Sequence, residues 1–148
     1  MADKSAIGKQ LPPFTWEVER GKIRELVQAI VDLNPIYTDK EAAMEEGYED
    51  VVAPPTFATV PTLWTGIGLE ALKALKIDFS RILHGEERYE YYGEIYPGDL
   101  LTAKSEITDI KTKSGKSGDM TIITRECEYT NQRNELVLKS TTVAIERK

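Results

Sequence analysis

Residues 51–69 read VVAPPTFATVPTLWTGIGL, and none of these side chains is charged. A helix that spans a membrane needs ~20 mostly apolar residues in a row. Here the run is interrupted by Pro54, Pro55 and Pro61 and by several threonines. Because proline is tolerated at the start of a helix but not in its interior, the segment predicts a proline-rich turn followed by a helix buried inside a folded domain.

This central helix is expected to run from about Thr59 to Lys76. Gly66 and Gly68 fall within it, and each should weaken a helix by ~1 kcal/mol, so we expect them to serve close backbone packing. Residues spaced three or four apart form one face of the helix, namely Trp64, Ile67, Ala71 and Leu75. The helix is therefore the element best suited to cover the apolar face of a sheet.

The residues before this segment predict one short strand and two helices. Phe14–Val18 can form the strand, and apolar residues recur at helical spacing from Ile23 to Ile30. Thr38 is the predicted N-cap of a second, short helix, in which Glu41 completes a capping box and Gly47 provides the stop.

After the central helix, the apolar residues adopt the period of two that is typical of strands. Four strands are predicted to begin near Leu83, Leu101, Ile123 and Val137. In the first of them, His84 alternates with Glu86 and Arg88 on a polar face. The last is marked by Thr141, Val143 and Ile145. Residues 96–99 form a turn and residues 113–118 a hairpin tip, so helices are followed by an antiparallel meander in a domain of the α+β class.

Composition limits the kind of protein. The 148 residues suit a single domain over 1–148, and the formal net charge of -6 argues against general nucleic-acid binding. One cysteine allows neither an internal disulfide nor a cysteine-based zinc site. The N-terminus lacks the apolar core of a signal peptide, so we expect a cytoplasmic protein without a membrane segment.

Two chemical motifs fail on inspection. Gly115-Lys116-Ser117 resembles the end of a phosphate-binding loop, but Ile110 stands where the first glycine is needed, and the segment lies between two strands. The single histidine leaves no convincing serine triad. Cys127 has the parity of an inward-facing strand residue, which predicts a buried structural thiol.

Residues 29–37, AIVDLNPIY, resemble the hydratase motif of the MaoC-like (R)-specific hydratase/dehydratase family. In that family the motif has an aspartate, then asparagine-proline, then a histidine two residues later. The resemblance implies a hot-dog fold, in which an antiparallel sheet wraps around a long central helix. It also implies site roles for Asp32 and Asn34, with Tyr37 at the histidine position. Other matching segments are Ile7-Gly8-Lys9, Gly47-Tyr48, Val52–Phe57, Leu83–Glu86 and Tyr96–Asp99.

The reaction explains these residue types. Addition of water to a 2-enoyl thioester moves a proton at Cα and a hydroxyl at Cβ, which requires an acid and a base within hydrogen-bond reach. The thioester carbonyl gains negative charge, and backbone N–H groups at a helix start can stabilise it. The resemblance therefore places Pro55, Thr56 and Phe57 near the substrate, with N–H groups available only from Thr56 and Phe57. His84 and Gly85 are assigned to substrate binding in the same way.

Tyr37 is the departure that matters most, because the ordinary pKa of tyrosine is near 10 and the group is a poor base at neutral pH. In the two-part enzymes of the family, one hot-dog half keeps the catalytic pair and the other has lost it and shapes the acyl tunnel. This sequence resembles the N-terminal half-domain, and it resembles the degenerate kind. An alternative is that Asp32 and Asn34 merely bond nearby backbone where a helix ends, and that His84 is structural.

Three functions remain open. The first is a subunit of a 3-hydroxyacyl-thioester dehydratase or enoyl-thioester hydratase acting on acyl-CoA or an acyl carrier thioester, without metal or redox cofactor. The second is a non-catalytic hot-dog protein that binds acyl thioesters or serves as a scaffold, and the third is a thioesterase. In each case we expect a homodimer or a heterodimer with a catalytic MaoC-like subunit, because a lone hot-dog sheet leaves open edges.

Overall fold

The computed structural model describes residues 3–115 and 118–147 and shows one antiparallel sheet. Its strands are β1 (Phe14–Glu17), β2 (Ile82–Tyr91), β3 (Leu100–Gly115), β4 (Gly118–Thr130) and β5 (Leu136–Arg147). Their order across the sheet is β1-β3-β4-β5-β2, so β1 and β2 form its edges. The predicted α+β class and hot-dog architecture are confirmed: the strands form one antiparallel sheet, and the α-helices lie between β1 and β2 in the chain.

The strand order corrects the predicted meander. β2 pairs with β5 and not with β3, whereas β3, β4 and β5 follow one another as hairpins. Residues 92–99 carry the chain from one side of the sheet to the other. They are held by hydrogen bonds from Gly98 N to Val18 O (2.8 Å) and from Ala53 N to Ile95 O (2.9 Å). Residues 96–99 do form a turn, but a local turn signal does not reveal which strands the turn connects.

The helices are α1 (Arg20–Ala29), α2 (Lys40–Glu45), α3 (Thr59–Trp64) and α4 (Ile67–Ala74). α1 confirms the first predicted helix and buries Ile23 and Val27. The N-cap of α2 is Asp39, whose carboxylate accepts hydrogen bonds from the backbone N–H groups of residues 41 (2.9 Å) and 42 (3.3 Å). Prediction of Thr38 as the cap was wrong by one residue, because aspartate caps a helix at least as well as threonine.

The predicted central helix is broken into α3 and α4. Gly66 lies between them with a φ of 68°, a left-handed conformation that glycine adopts at little cost. This glycine therefore ends a helix instead of serving packing within one, which corrects the prediction.

The helical segment is also less buried than predicted. Leu75 is 7% exposed, but Leu63 and Trp64 at the end of α3 are 80% and 72% exposed. The side chains of Ile67 and Ala71, the other members of the predicted face, are not among those that the structure describes. No helix in the described part of the chain is long and apolar enough to cross a membrane.

The core lies between the inner face of the sheet and the segment that leads into α3. Leu101, Ala103 and Ile107 in β3 are at most 3% exposed, as their alternation predicted. Cys127 in β4 is buried, and this burial raises the pKa of its thiol to about 11. The prediction of an inward-facing structural cysteine is confirmed, since a thiol with a raised pKa is a poor nucleophile.

β5 follows the predicted parity only at its start. Its buried residues are Val137, Leu138, Ser140 and Glu146, so Val137 alone among the predicted inward residues is buried. The predicted markers Thr141, Val143 and Ile145 are only half-buried. The inner face of β5 borders a cavity, so small and polar residues stand there and the apolar alternation indicated the wrong face.

The predicted hairpin between β3 and β4 is present, with Gly115 opposite Gly118 in register. Lys116 and Ser117 lie outside the described residues. The described residues on both sides belong to strands, whereas a phosphate-binding loop requires a helix directly after it.

Candidate functional site

A cavity of about 480 Å³ separates α3 and α4 from β2, β4 and β5. This volume lies in the range of ~300–1,000 Å³ that is typical of small-molecule sites. Most of its walls are aliphatic or aromatic, and the exposed side chains of Leu63, Leu69, Phe79 and Leu83 line it where it reaches the surface. Such a space suits an extended apolar chain.

Polar groups line the floor of the cavity on the sheet. Arg125 Nη2 donates a hydrogen bond to Thr142 Oγ1 (3.1 Å), and Thr142 Oγ1 donates in turn to Glu87 Oε1 (3.1 Å). His84 Nε2 lies 3.9 Å from Glu87 Oε2. The pKa of Glu87 is raised, mainly by burial, against the opposing effects of Thr142, Arg125 and His84.

A β-bulge places His84 on this floor. The register between β2 and β5 shifts at Gly85, so His84 pairs with Ala144 and Glu87 pairs with Thr142. His84 and Glu87 therefore share the face of the cavity although they are three residues apart. The prediction that His84 lies on the polar face with Glu86 and Arg88 was wrong, because a bulge changes the parity that follows it.

Gly85 itself does not line the cavity. A Cβ atom at this position would lie 3.1 Å from Val143 O and 3.0 Å from Ile145 Cδ1. The glycine therefore permits the close approach of β5 at the bulge, and it affects the site by orienting His84.

The motif residues Asp32 and Asn34 lie in the turn after α1. Asp32 Oδ1 accepts a hydrogen bond from Asn34 N (3.0 Å), and Asn34 Oδ1 accepts one from Ile36 N (3.2 Å). The structural reading of these side chains as caps for the local backbone is thus confirmed. Each still presents a second polar atom, Oδ2 or Nδ2, that these bonds do not use.

Tyr37 is partly buried against the core, close to the motif aspartate. Its pKa is raised, first by burial and then by the negative charge of Asp32, with smaller effects from Tyr48 and Glu94. The hydroxyl therefore stays protonated at neutral pH. It can donate a hydrogen bond to a substrate, but it cannot act as the base that a histidine provides.

The residues of the proline-rich turn differ in exposure and in the hydrogen bonds of their N–H groups. Pro55 and Thr56 are exposed, whereas Phe57 is fully buried and its ring lies 5.2 Å from the ring of Trp16. Phe57 N donates to Pro54 O (2.8 Å), so this N–H is not free for a substrate carbonyl. Of the two expected donors, only Thr56 N–H lacks a hydrogen-bond partner among the described residues.

Two tyrosines of β2 connect the proline-rich turn to the cavity. Tyr89 lines the cavity, and its ring centroid lies 6.5 Å from that of Tyr91. Tyr91 donates a hydrogen bond to Pro55 O (2.6 Å), and the charges of Tyr89, Glu94 and Tyr37 reinforce the effect of burial in raising its pKa. Tyr91 thus contacts the proline-rich turn and lies next to Tyr89, which lines the cavity.

Glu87, Arg125 and Thr142 were not predicted as site residues. Arg125 carried a usable signal, because a charged residue between Ile123 and Cys127 has the parity of the buried face. Glu87 carried none, since its place on the same face as His84 depends on a bulge.

The comparisons with known proteins identify the family. A family model described as the FAS1-like dehydratase domain region matches residues 5–140. The UPF0336 protein of Thermobifida fusca is 39% identical over 135 residues, which cover 91% of this chain and 86% of that protein.

Solved structures agree with this result. A chain of the C-terminally truncated HadBC (3R-hydroxyacyl-ACP dehydratase) complex of Mycobacterium tuberculosis is similar with a TM-score of 0.81 and 26% identity, over 95% of this chain and 96% of that chain. A MaoC-like dehydratase is similar with a TM-score of 0.86 and 26% identity, over 98% of this chain and 43% of that longer chain. The chain therefore belongs to the FAS1-like dehydratase-domain family of MaoC-like hot-dog proteins.

Proposed function

We propose that this chain is a subunit of a 3-hydroxyacyl-thioester dehydratase, equivalent in the reverse direction to an (R)-specific enoyl-thioester hydratase. Its part in the enzyme is to hold the acyl chain in the cavity under α3 and α4. The observation that carries the proposal is an apolar cavity in a chain that also has a hydratase motif, whose residues do not line the cavity and in which Tyr37 replaces histidine.

The chemistry supports a division of labour between two subunits. Hydration of the enoyl double bond needs a base to activate water and an acid to protonate Cα. Asp32 offers one carboxylate, and the Tyr37 hydroxyl remains protonated at neutral pH. A histidine from a partner subunit would complete the acid–base pair. Because hydration of a double bond is redox-neutral overall, the reaction as proposed requires no redox cofactor. We also expect no metal.

The partner is proposed to be a MaoC-like subunit that carries histidine in its motif. β2 ends the sheet, so the outer row of its backbone N–H and C=O groups is open to pairing. Exposed apolar side chains line the same cavity as β2, among them Leu63 and Phe79. The similar HadBC dehydratase is a complex of two subunits. Pairing of this chain with a second copy of itself is the alternative arrangement.

The test is hydration of crotonyl-CoA and of a longer 2-enoyl-CoA, followed by loss of enoyl absorbance. We expect no turnover from the purified chain alone, and turnover when a family member with an Asp-x-Asn-Pro-x-His motif from the same organism is added. A partner in which that histidine is replaced by glutamine is the matched control. Turnover by the chain alone that Asp32→Asn abolishes would instead show a complete site without a motif histidine.

A second function is supported by the motif geometry. Asp32 and Asn34 both use a side-chain oxygen to cap their own turn, which is sufficient reason for their presence in a protein that only binds acyl thioesters. In that case the chain would bind an acyl-CoA without changing the turnover of any partner. Thioesterase activity would appear in the same experiment as release of the free thiol of coenzyme A.

A further inference from the structure

Two polar side chains on the cavity floor have hydrogen-bonding capacity that the described residues do not use. The hydroxyl of Tyr89 is buried and has no hydrogen bond of normal geometry among the described residues, although Thr59 lies close enough to lower its pKa slightly. Glu87 uses Oε1 to accept from Thr142, while its Oε2 has His84 Nε2 at 3.9 Å, beyond hydrogen-bond distance. The floor thus holds an unused donor and an unused acceptor.

The two groups lie on the same face of β2. Glu87 and Tyr89 are two residues apart in β2 beyond the bulge, pair with Thr142 and Ser140, and therefore point to the same face. Residues at this spacing lie ~7 Å apart at Cα. Their proximity is also evident in the pKa of Tyr89, which burial and the charge of Glu87 raise to about 12.

An unmodified hydrocarbon chain offers neither group a hydrogen-bond partner. The Tyr89 hydroxyl is buried without a partner, which is costly, and native proteins seldom retain such a group without a reason. A ketone or ester oxygen could accept from Tyr89 but could not donate to Glu87. An alcohol does both, because a hydroxyl is at once a donor and an acceptor.

We propose that the cavity contains a hydroxyl-recognition site formed by Glu87 and Tyr89, and that its ligand is an aliphatic acyl chain bearing a hydroxyl group. The ligand hydroxyl donates to Glu87 Oε2 and accepts from the Tyr89 hydroxyl. Thr142 and Arg125 hold Glu87 in place through their hydrogen-bond chain. The inference rests on the proposed function only for the acyl nature of the chain, and it requires neither turnover nor a partner.

Binding of dodecanoic acid and its monohydroxy isomers to the purified chain, measured by titration calorimetry, tests this site. At least one isomer should bind about tenfold more tightly than the parent acid, as expected for a hydrogen bond to a charged group. Tyr89→Phe and Glu87→Gln should each reduce that preference to threefold or less without weakening the parent acid. Tyr92→Phe is the matched control, since its hydroxyl is bonded to Glu90 on the exposed side of the chain.

The outcomes distinguish a failure of this site from a failure of the proposed function. If no isomer binds more tightly than the parent acid, including the case in which none binds, the site does not exist as proposed. A preference that survives both Tyr89→Phe and Glu87→Gln also overturns it. Tyr89→Phe removes a hydroxyl that has no partner, so the variant should fold and keep the test valid even if Glu87→Gln does not. Failure of the hydration assay with a partner would leave a hydroxyl preference intact and count only against the proposed function.

Discussion

At the scale of the residue, Tyr37 decides whether this chain can carry out acid–base chemistry. Its hydroxyl lies close to Asp32 and has a raised pKa, so it remains protonated at neutral pH. A histidine at this position would titrate near neutrality. The tyrosine therefore keeps the position occupied and polar while removing the base.

Restoration of the motif histidine should create activity in the isolated chain. We expect Tyr37→His to raise the rate of crotonyl-CoA hydration ~10²-fold or more above the uncatalysed background seen with the wild-type chain, which is the usual contribution of one positioned general acid or base. Loss of enoyl absorbance measures it. Tyr37→Gln is the matched control, because it is polar and smaller than tyrosine but does not titrate. Equal rates for the two variants would show that the motif segment is not placed for catalysis.

The same residues show what the sequence could predict about the site. The motif pointed to Asp32, Asn34 and Tyr37, and the structure explains the first two as caps of a turn, so their catalytic roles remain predictions. Glu87 was missed because a one-residue bulge at Gly85 decides which face it occupies, and alternation cannot register a bulge. Arg125 could have been found from its charged side chain at an inward parity.

At the scale of the element, Gly66 separates α3 from α4 and shapes the cavity that both helices cover. An alanine in the left-handed conformation costs roughly 1–2 kcal/mol. We therefore expect Gly66→Ala to lower the free energy of unfolding by about that amount in urea denaturation. Gly68→Ala is the control, because Gly68 has an ordinary φ inside α4 and a Cβ there would meet only Thr62 Cγ2 at 3.6 Å. It should be neutral or stabilising by up to ~1 kcal/mol, and a loss equal to that of Gly66→Ala would contradict the account.

Asp50 joins the start of α1, the start of α2 and the segment that leads to α3. Its carboxylate bonds Arg20 Nη2 (2.7 Å), lies 3.6 Å from Lys40 Nζ and accepts from Val51 N (2.7 Å). The hydrogen bond from Arg20 is the largest cause that lowers the pKa of Asp50, from 3.8 to about 2.

Asp50→Asn should therefore destabilise the protein in a pH-dependent way. We expect a loss of about 1 kcal/mol at neutral pH, the upper end for exposed ion pairs. Because the folded-state pKa is the lower one, this stabilisation is present above pH 3.8 and disappears as pH falls towards about 2. Melting temperatures of the two proteins should converge over that interval. Asp109→Asn is the control, since Asp109 pairs with Lys111 of the same strand and joins no separate elements; a constant gap for Asp50→Asn would contradict the assignment.

The boundaries of helices and strands are harder to predict from the sequence than their presence. The residues of 59–76 were correctly predicted to be mostly helical, but the break at Gly66 depends on a backbone angle that the apolar spacing does not contain. Residues 51–69 carry no charged side chain, yet Leu63 and Trp64 are exposed in the single chain. Apolar composition predicts a covered surface without saying what covers it.

At the scale of the whole molecule, some strand pairings follow from local sequence signals and one does not. Hairpins between β3, β4 and β5 follow directly from alternation and turn residues. The pairing of β2 with β5 joins strands that are distant in sequence, and no local pattern encodes it. That pairing is what brings His84 and Glu87 beside Thr142 and Ala144, so the cavity exists only because of the non-local topology.

The central claim is that this cavity holds the acyl chain for a two-subunit hydratase, and filling it tests the claim directly. The measurement is kcat/KM of the complex with the histidine-bearing partner for crotonyl-CoA and for 2-dodecenoyl-CoA. The complex contains either the wild-type chain or Ala144→Phe, with Thr141→Phe on the other face of β5 as the control. We predict that Ala144→Phe lowers the ratio of long-chain to short-chain kcat/KM at least ~tenfold, as loss of a pocket for several methylenes requires, while Thr141→Phe leaves it unchanged. An equal loss for both substrates, or an unchanged ratio, would contradict the account.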